Sequence, residues 1–389
     1  MKIANRMETL SPSVTMAITA LGRELKAQGK DILSFSAGEP DFDTPEIIKQ
    51  AAIKAINDGH TKYTAVEGII ATKQAIINKL KKDHGLEYKL DGIVISNGAK
   101  HSLFNLFQVL IEKGDEVIIP APYWVTYPEQ VKFSDGVPVF IETDDSTDFK
   151  ITPEQLKAAI TPKTRILLLN TPSNPTGSVY SKEELLAIGE VLKGTDIIVF
   201  SDEMYEKIMY NGKKFTAAAE VSEDMFNRTV TINGLSKAVA MTGWRFGYIA
   251  TCDTALAKAL TKLQGQVTSN INTMTQYAAI PALNGDADET IEMMRVEFEK
   301  RKNIAVKSFN EIKGLSTIDP DGAFYLFINI QEVTNDSMKF CADLLEQKGV
   351  ALVPGLAFGT EGYVRFSFAT DLVTIQEGIK RIKEFVENK

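Results

Sequence analysis

Through the middle of the chain, short runs of apolar residues alternate with longer stretches in which apolar residues recur at helical spacing. The runs lie at 92–96, 115–120, 164–170, 196–202 and 228–233, each closed by Gly, Pro, Asn or Asp. Between the first two, the stretch 100–113 carries Leu103, Phe104, Leu106, Phe107, Leu110 and Ile111 at the spacing of one helix face. Near-continuous apolar strands alternating with helices predict an α/β architecture, a mostly parallel sheet covered by helices on both faces. The runs have strand length, which argues against buried helices.

From about residue 286 the pattern changes. A charged helix over 289–310 leads to a strand at 322–329, then a second helix, strands at 350–354 and 362–369, and a terminal helix. This predicts a smaller α+β domain packed on the larger one. The first 45 residues do not belong to the parallel sheet by pattern. The expected division is a large domain over 46–285 and a small domain made of 1–45, an N-terminal arm, together with 286–389. No Gly/Ser or Pro-rich linker separates the two.

Bulk properties then narrow the class. The length of 389 residues suits more than one domain. A formal net charge of −8 without any Lys/Arg-rich tract argues against a nucleic-acid partner. Cys252 and Cys341 are lone and far apart, as expected of reduced thiols in a cytoplasmic protein. His60, His84 and His101 form no metal-ligand pattern, so no metal is expected. No apolar run reaches the roughly 18 residues of a membrane span. The start, 1–8, is charged but lacks the apolar core of a secretory signal.

In open α/β sheets ligands bind beyond the carboxyl ends of the strands, and five strand ends here carry chemically capable residues. After the first comes Ser96-Asn-Gly-Ala-Lys, where Gly98, Ala99 and Lys100 open a helix whose N–H groups suit an anion, although the same residues make an ordinary turn. After the second come Tyr123 and Trp124, which can stack on a planar ring or fill a core. The third ends in a rigid turn that presents Asn174. The fourth delivers Asp202 and then Tyr205. A carboxylate after an apolar run needs a cation when buried, and a helix N-cap is an equal reading of Asp202. The fifth ends at Asn233-Gly-Leu-Ser-Lys237, with Arg245 beyond it. A lysine in a short turn after a buried strand is desolvated, which lowers its pKa and suits Schiff-base chemistry. Arg245 can pair bidentately with a phosphate.

Several stretches together resemble the class I aminotransferases of the fold-type I pyridoxal 5′-phosphate (PLP) enzymes, most nearly the bacterial aspartate aminotransferase branch called Iβ. They are Ala37-Gly-Glu-Pro-Asp-Phe-Asp-Thr-Pro, Lys62-Tyr-Thr, Ser96-Asn-Gly-Ala-Lys, Pro122-Tyr-Trp, Asn174-Pro-Thr-Gly, Ser201-Asp-Glu-Met-Tyr, Ser236-Lys-Ala with Met241-Thr-Gly-Trp-Arg, and Tyr363-Val-Arg-Phe-Ser-Phe-Ala. They follow the family order across nearly the whole chain.

The resemblance implies roles position by position. Lys237 would hold PLP and serve as general base and acid. Asp202 would pair with the ring nitrogen, and Tyr205 and Asn174 would hydrogen-bond the phenolic oxygen. Trp124 would stack on the ring. Arg245, Gly98, Ala99, Lys100 and Tyr63 would surround the phosphate, with Tyr63 reaching in from the second subunit of a homodimer. Arg365, helped by Gly38, would clamp the substrate α-carboxylate. Lys100, with Thr15 and Ser13, would meet a distal carboxylate. Where many relatives carry a phosphate-binding Ser, this chain has Gly234, with Ser236 beside the lysine.

The implied activity is ping-pong transfer of an amino group from an L-amino acid, aspartate first, to 2-oxoglutarate. Aromatic amino acids are the nearest alternative substrates, and a PLP lyase on the same fold is a second. A PLP-dependent transcription regulator is disfavoured, because the motifs begin near residue 37 and leave no room for a DNA-binding module.

Overall fold

The computed structural model describes residues 1–388. A seven-stranded sheet dominates it, in the order β2-β8-β7-β6-β5-β3-β4. The strands are β2 (Ile93–Asn97), β3 (Glu116–Ala121), β4 (Val137–Glu142), β5 (Thr164–Asn170), β6 (Ile198–Asp202), β7 (Thr229–Gly234) and β8 (Phe246–Ala250). The neighbours β3·β4, β3·β5, β5·β6 and β6·β7 are parallel, whereas β8 runs antiparallel to both β2 and β7. The mostly parallel sheet is therefore as expected. Two strands were not: β4 contains Pro138 and sits at the sheet edge, where a missing N–H is tolerated, and β8 contains Gly247 in a run of five residues.

Burial on both faces explains why the strands read as continuous apolar runs. In β5, Ile166 and Leu168 enter one apolar core while Leu167 and Leu169 enter the core on the opposite face. In β3, Val117 and Ile119 divide from Ile118 in the same way. Successive side chains alternate across a strand, so a two-sided cover demands an apolar residue at every position.

Helices α1 (Val14–Ala27), α2 (Glu46–Asn57), α3 (Ile70–His84), α4 (Ala99–Leu110) and α5 (Thr126–Phe133) precede or follow the first strands. On α4 the spacing of Leu103, Leu106 and Phe107 buries one face against the sheet. Gln264 ties α4 to β2: it accepts from Ser96 and Asn105 and donates to the carbonyls of Val66 and Ile95.

The later part of the chain builds a smaller antiparallel sheet, β11-β12-β9, from β9 (Tyr325–Asn329), β11 (Val353–Pro354) and β12 (Tyr363–Ser367). The apolar run 350–354 is not one strand. Its first half, β10 (Val350–Ala351), pairs in parallel with β1 (Leu33–Ser34), and its second half turns to join β12. The N-terminal arm thereby reaches β12: Phe35 stacks on Phe366 at 4.3 Å, and the Phe35 carbonyl accepts from the Ser367 N–H. Among the described residues no helix is long and apolar enough to cross a membrane.

Candidate active site

The carboxyl ends of β2, β3, β5, β6 and β7, the start of α1, the arm at 36–39 and strand β12 enclose one cavity of about 470 Å³. Lys237, Asp202, Tyr205, Asn174, Trp124, Ala99, Lys100, Arg245, Gly38, Arg365, Thr15, Ser13 and Ser236 all line it. The parallel strands deliver their ends, from Ala99 to Lys237, to one edge, and the N-terminal segment and β12 bring Ser13, Thr15, Gly38 and Arg365 over that edge.

Lys237 lies in the turn after β7, and its Nζ donates to the Gly38 carbonyl. Its side chain is half-buried and lines the cavity. That burial, against the favourable field of Glu39 and with the unfavourable fields of Arg365 and Arg245, lowers its pKa to about 8. The lysine is therefore a usable base near neutrality.

Asp202 ends β6 and is almost wholly buried. Tyr127 donates to its Oδ2 at 2.7 Å and the Met204 N–H approaches Oδ1 at 3.3 Å. Burial raises its pKa to about 6, opposed by the Tyr127 hydrogen bond, the Met204 N–H and the field of Lys237. No helix starts after it, so of the two readings of Asp202 the N-cap falls away. The remaining reading is a carboxylate that gains from a cationic N–H in the cavity.

Arg365 shows the complementary condition. It is buried on the central strand of the small sheet, opposite Phe327 and Val353. Its Nη1 donates to Asn174 Oδ1 at 2.9 Å and its Nη2 to the Ser36 carbonyl at 2.7 Å, while Nε has no partner. Its guanidinium carbon lies 4.5 Å from the Tyr325 ring centre. A buried guanidinium held by neutral oxygens and the aromatic faces of Tyr325 and Phe358 has capacity left for an anion.

The start of α4 makes a separate anion cradle. Gly98 precedes the helix at φ +84°, and no side chain caps it. A Cβ on Gly98 would lie 2.5 Å from Arg245 Nη2, so glycine is what admits the guanidinium beside the helix N-terminus. Arg245 is held there by the carbonyls of Thr242 (2.8 Å) and Asn97 (3.4 Å). Helix N–H groups and an arginine at one point suit an anion such as a phosphate. Gly234 has its own reason: a Cβ there would lie 2.6 Å from the Phe246 carbonyl of β8, so no serine side chain fits.

In the first turn of α4, Lys100 places its ammonium 4.8 Å from the Trp124 ring centre, and its pKa is lowered by burial and by Arg245. Thr15 and Ser13 share a hydrogen bond of 2.9 Å.

The chain matches the family model for aminotransferase class I and II over residues 30–382. It belongs to that family. An aspartate aminotransferase of Bacillus subtilis is 49% identical over 100% of this chain and 99% of its own length. The crystal structure of an aspartate aminotransferase from Rhizobium meliloti superposes with a TM-score of 0.96 at 41% identity, covering 100% of this chain and 99% of that one. That of the Thermus thermophilus enzyme with maleate gives 0.95 at 37% identity, with 99% of each chain covered.

As a class I and II aminotransferase the protein uses PLP, and the cavity has the donor set this group requires. It combines an amine of lowered pKa, a buried carboxylate without a cationic partner, and an uncapped helix start with an arginine in the space a Gly98 side chain would fill.

Sequence reasoning also missed residues. Tyr127 holds Asp202, and Tyr325 shares a hydrogen bond of 2.8 Å with Tyr205. Glu39, which accepts from Thr242, and Arg23, which makes no ion pair or hydrogen bond among the described residues, also line the cavity of this aminotransferase. The spacing of Tyr127 three residues after Trp124, one helical turn on, was the available signal. Tyr63, in contrast, is 89% exposed and does not line the cavity.

Proposed function

We propose that this aminotransferase moves the amino group of L-aspartate to 2-oxoglutarate by a ping-pong course. The observation that carries the reading is the meeting of Arg365, Lys237 and Asp202 in one cavity that also holds Lys100. PLP, when bound, supplies an aldehyde that takes up the amino group and a ring that accepts the electron pair released at the substrate Cα.

The remaining work falls to the chain. Arg365 grips the α-carboxylate bidentately and so fixes which bond at Cα is exposed to the base. The Gly38 backbone supports the same carboxylate. Lys237 Nζ, poised near neutrality, removes the Cα proton and later returns it to the cofactor side. Asp202 holds the proton on the ring nitrogen, steadied by the Tyr127 hydroxyl. Tyr205 and Asn174 would hold the phenolic oxygen of the bound group, and Trp124 would stack on its ring. Gly98, Ala99, Lys100, Ser236 and Arg245 receive the phosphate. Lys100 and Thr15 also meet the distal carboxylate of a dicarboxylic substrate.

The segments 1–45 and 286–388 form the small domain that carries Arg365, Gly38 and Thr15, and 46–285 forms the large domain that carries the other groups. The protein acts as a homodimer in which Tyr63 completes the partner's phosphate site. Exposed Tyr63, Ile53, Ile56 and Ile70 support this, as does a second cavity of about 690 Å³ that reaches Arg245 between Ile53, Ile56 and Trp244. Sedimentation gives the oligomeric state; a monomer at working concentration overturns that assignment.

Aromatic amino acids are the second reading. A cavity of about 420 Å³ lined by Phe104, Tyr123, Phe133 and Leu356 adjoins the first through Ser13, Val125 and Thr126, and it would accept a ring. A visible absorption titration of the purified holoenzyme decides the order. Aspartate should bleach the cofactor band and 2-oxoglutarate restore it, at lower concentration than tyrosine requires. Release of ammonia or CO₂ without a 2-oxo acid overturns transamination itself.

A further inference from the structure

Behind the cavity, against the chain that follows β6, lies a group of buried charges that the reaction above does not use. Lys79, Asp83 and His84 come from the last turns of α3; Glu203, Glu206 and Lys207 follow Asp202. Lys79 Nζ hydrogen-bonds Glu206 Oε1 and stands 3.5 Å from Asp83, which Lys207 meets at 2.8 Å. His84 Nε2 lies 2.9 Å from Glu206 Oε2, and His84 Nδ1 lies 3.0 Å from Glu220 Oε2. The side chains of Lys79, His84 and Glu206 are no more than 9% exposed.

One imidazole thus joins two carboxylates, and with an acceptor at each nitrogen both must carry protons. Burial works against that charge, but the hydrogen bonds to Glu206 and Glu220 outweigh it and raise His84 to about 9. Next to it Glu203 accepts from the Ser201 hydroxyl and the Ala218 N–H on Oε1, while its buried Oε2 has no partner.

The position of this group gives it a consequence for the site. From Glu203 to Ala217 the chain forms neither helix nor extended strand; backbone bonds hold it at separate points, the Glu203 N–H on the Ile232 carbonyl, the Tyr210 N–H on the Asp321 carbonyl and the bridge of Met209 to Gly322, and between those points side-chain contacts add to what fixes its path. Along it Asp202 and Tyr205 face the cavity, whereas Glu203 and Glu206 face the charge group. A small void of about 30 Å³ has Lys79 and Glu206 on one side and Gly234, Leu235 and Ala238, from the turn that carries Lys237, on the other.

We propose that His84 is a positioning residue: by bridging Glu206 and Glu220 it clamps the irregular chain after β6, so that Asp202 and Tyr205 stay directed at the cofactor. The proposal rests on the reading of Asp202 and Tyr205 as the groups that contact PLP.

Two variants test it, His84→Leu and Glu220→Gln, the second a milder change on the outer side of the bridge. For each, three quantities are measured: the PLP affinity of the apoprotein by fluorescence titration, the pH midpoint of the visible cofactor band in the holoenzyme, and kcat and KM. In H84L, PLP affinity should fall about tenfold, the scale of losing an outer support to a liganding group. The band midpoint should move by about half a pH unit, and kcat should fall while KM for 2-oxoglutarate holds, because Arg365 sits on other elements. E220Q should move the same quantities in the same direction by less, and it decides the matter if H84L does not fold. Lower thermal stability with unchanged PLP affinity, midpoint and kcat in the folded variants overturns the clamp alone. A wild type that binds PLP without any visible band overturns the cofactor reading, and the clamp with it.

Discussion

Two groups of buried charge lie on either side of the chain segment 202–206, and they differ in one respect. In the cavity, Asp202 has hydroxyl and amide partners but no cationic side chain bonded to it, and Arg365 has only neutral oxygens and aromatic faces. Behind the segment, Lys79, Lys207, Asp83, Glu206, Glu220 and His84 are all matched with opposite charge. Unmatched buried charge costs free energy in the protein alone. Its presence on the cavity side marks where bound groups finish the electrostatics; of the groups named behind the segment only Glu203 lacks a bonded cation, and there burial pushes the carboxyl up to about 7, which reduces the charge left unmatched. Strong pKa shifts occur on both sides, at Lys237 and Asp202 but also at His84 and Glu206, so a shift by itself does not separate a site from a strut.

The sharpest way to break this contrast is Lys237→Ala. We expect kcat to fall by about 10⁴-fold or more with loss of the visible cofactor band, as followed by a coupled transamination assay. An active, colourless variant would remove the centre of the proposed mechanism. Next comes Asp202→Asn, which keeps shape and removes charge; kcat should fall by roughly 10² to 10³-fold, the scale of losing one preorganised electrostatic partner, while the KM for aspartate moves little. Arg365→Leu should act the other way round. Steady-state kinetics should show KM for aspartate and 2-oxoglutarate rising by about 10²-fold, and a variant hit mainly in kcat would contradict the carboxylate role.

The smallest expected effect belongs to the matched side and appears in stability. A folded-state pKa of about 9 for His84, above its ordinary 6.5, means that its contribution is complete below pH 6.5 and is lost as pH rises through about 9. The difference in unfolding free energy between wild type and H84L should therefore shrink by about 1 kcal/mol from pH 7 to pH 8, measured by urea unfolding. Equal differences at both pH values would place His84 outside the ion pairs.

The alternation of apolar runs and helical stretches was enough for the mostly parallel sheet, and the residues closing five of those runs contain most of the cavity. The reason is local: a strand buried on both faces must be apolar at each position, so the first polar residues after it mark the edge where ligands bind. β8 escaped because a five-residue run holding Gly247 offers little pattern, and β4 because Pro138 masks an edge strand. The run 350–354 showed its apolar character but not its division between two sheets, which depends on β1 arriving from the other end of the chain.

What only the tertiary structure decided are relations between residues distant in sequence. Asp202 and Glu203 are adjacent acids in the sequence; the path of the chain sends one to the cavity and the other to the charge group behind it. Tyr127 over Asp202, Tyr325 against Tyr205, the neutral cage of Arg365 and the bridge at His84 follow from that path. Gly234 is the plainest case: in the sequence it is a missing serine, and in the fold it is the residue that lets β8 lie against β7. Sequence pattern records what each residue needs from its surroundings, and only the packed chain determines which distant group supplies it.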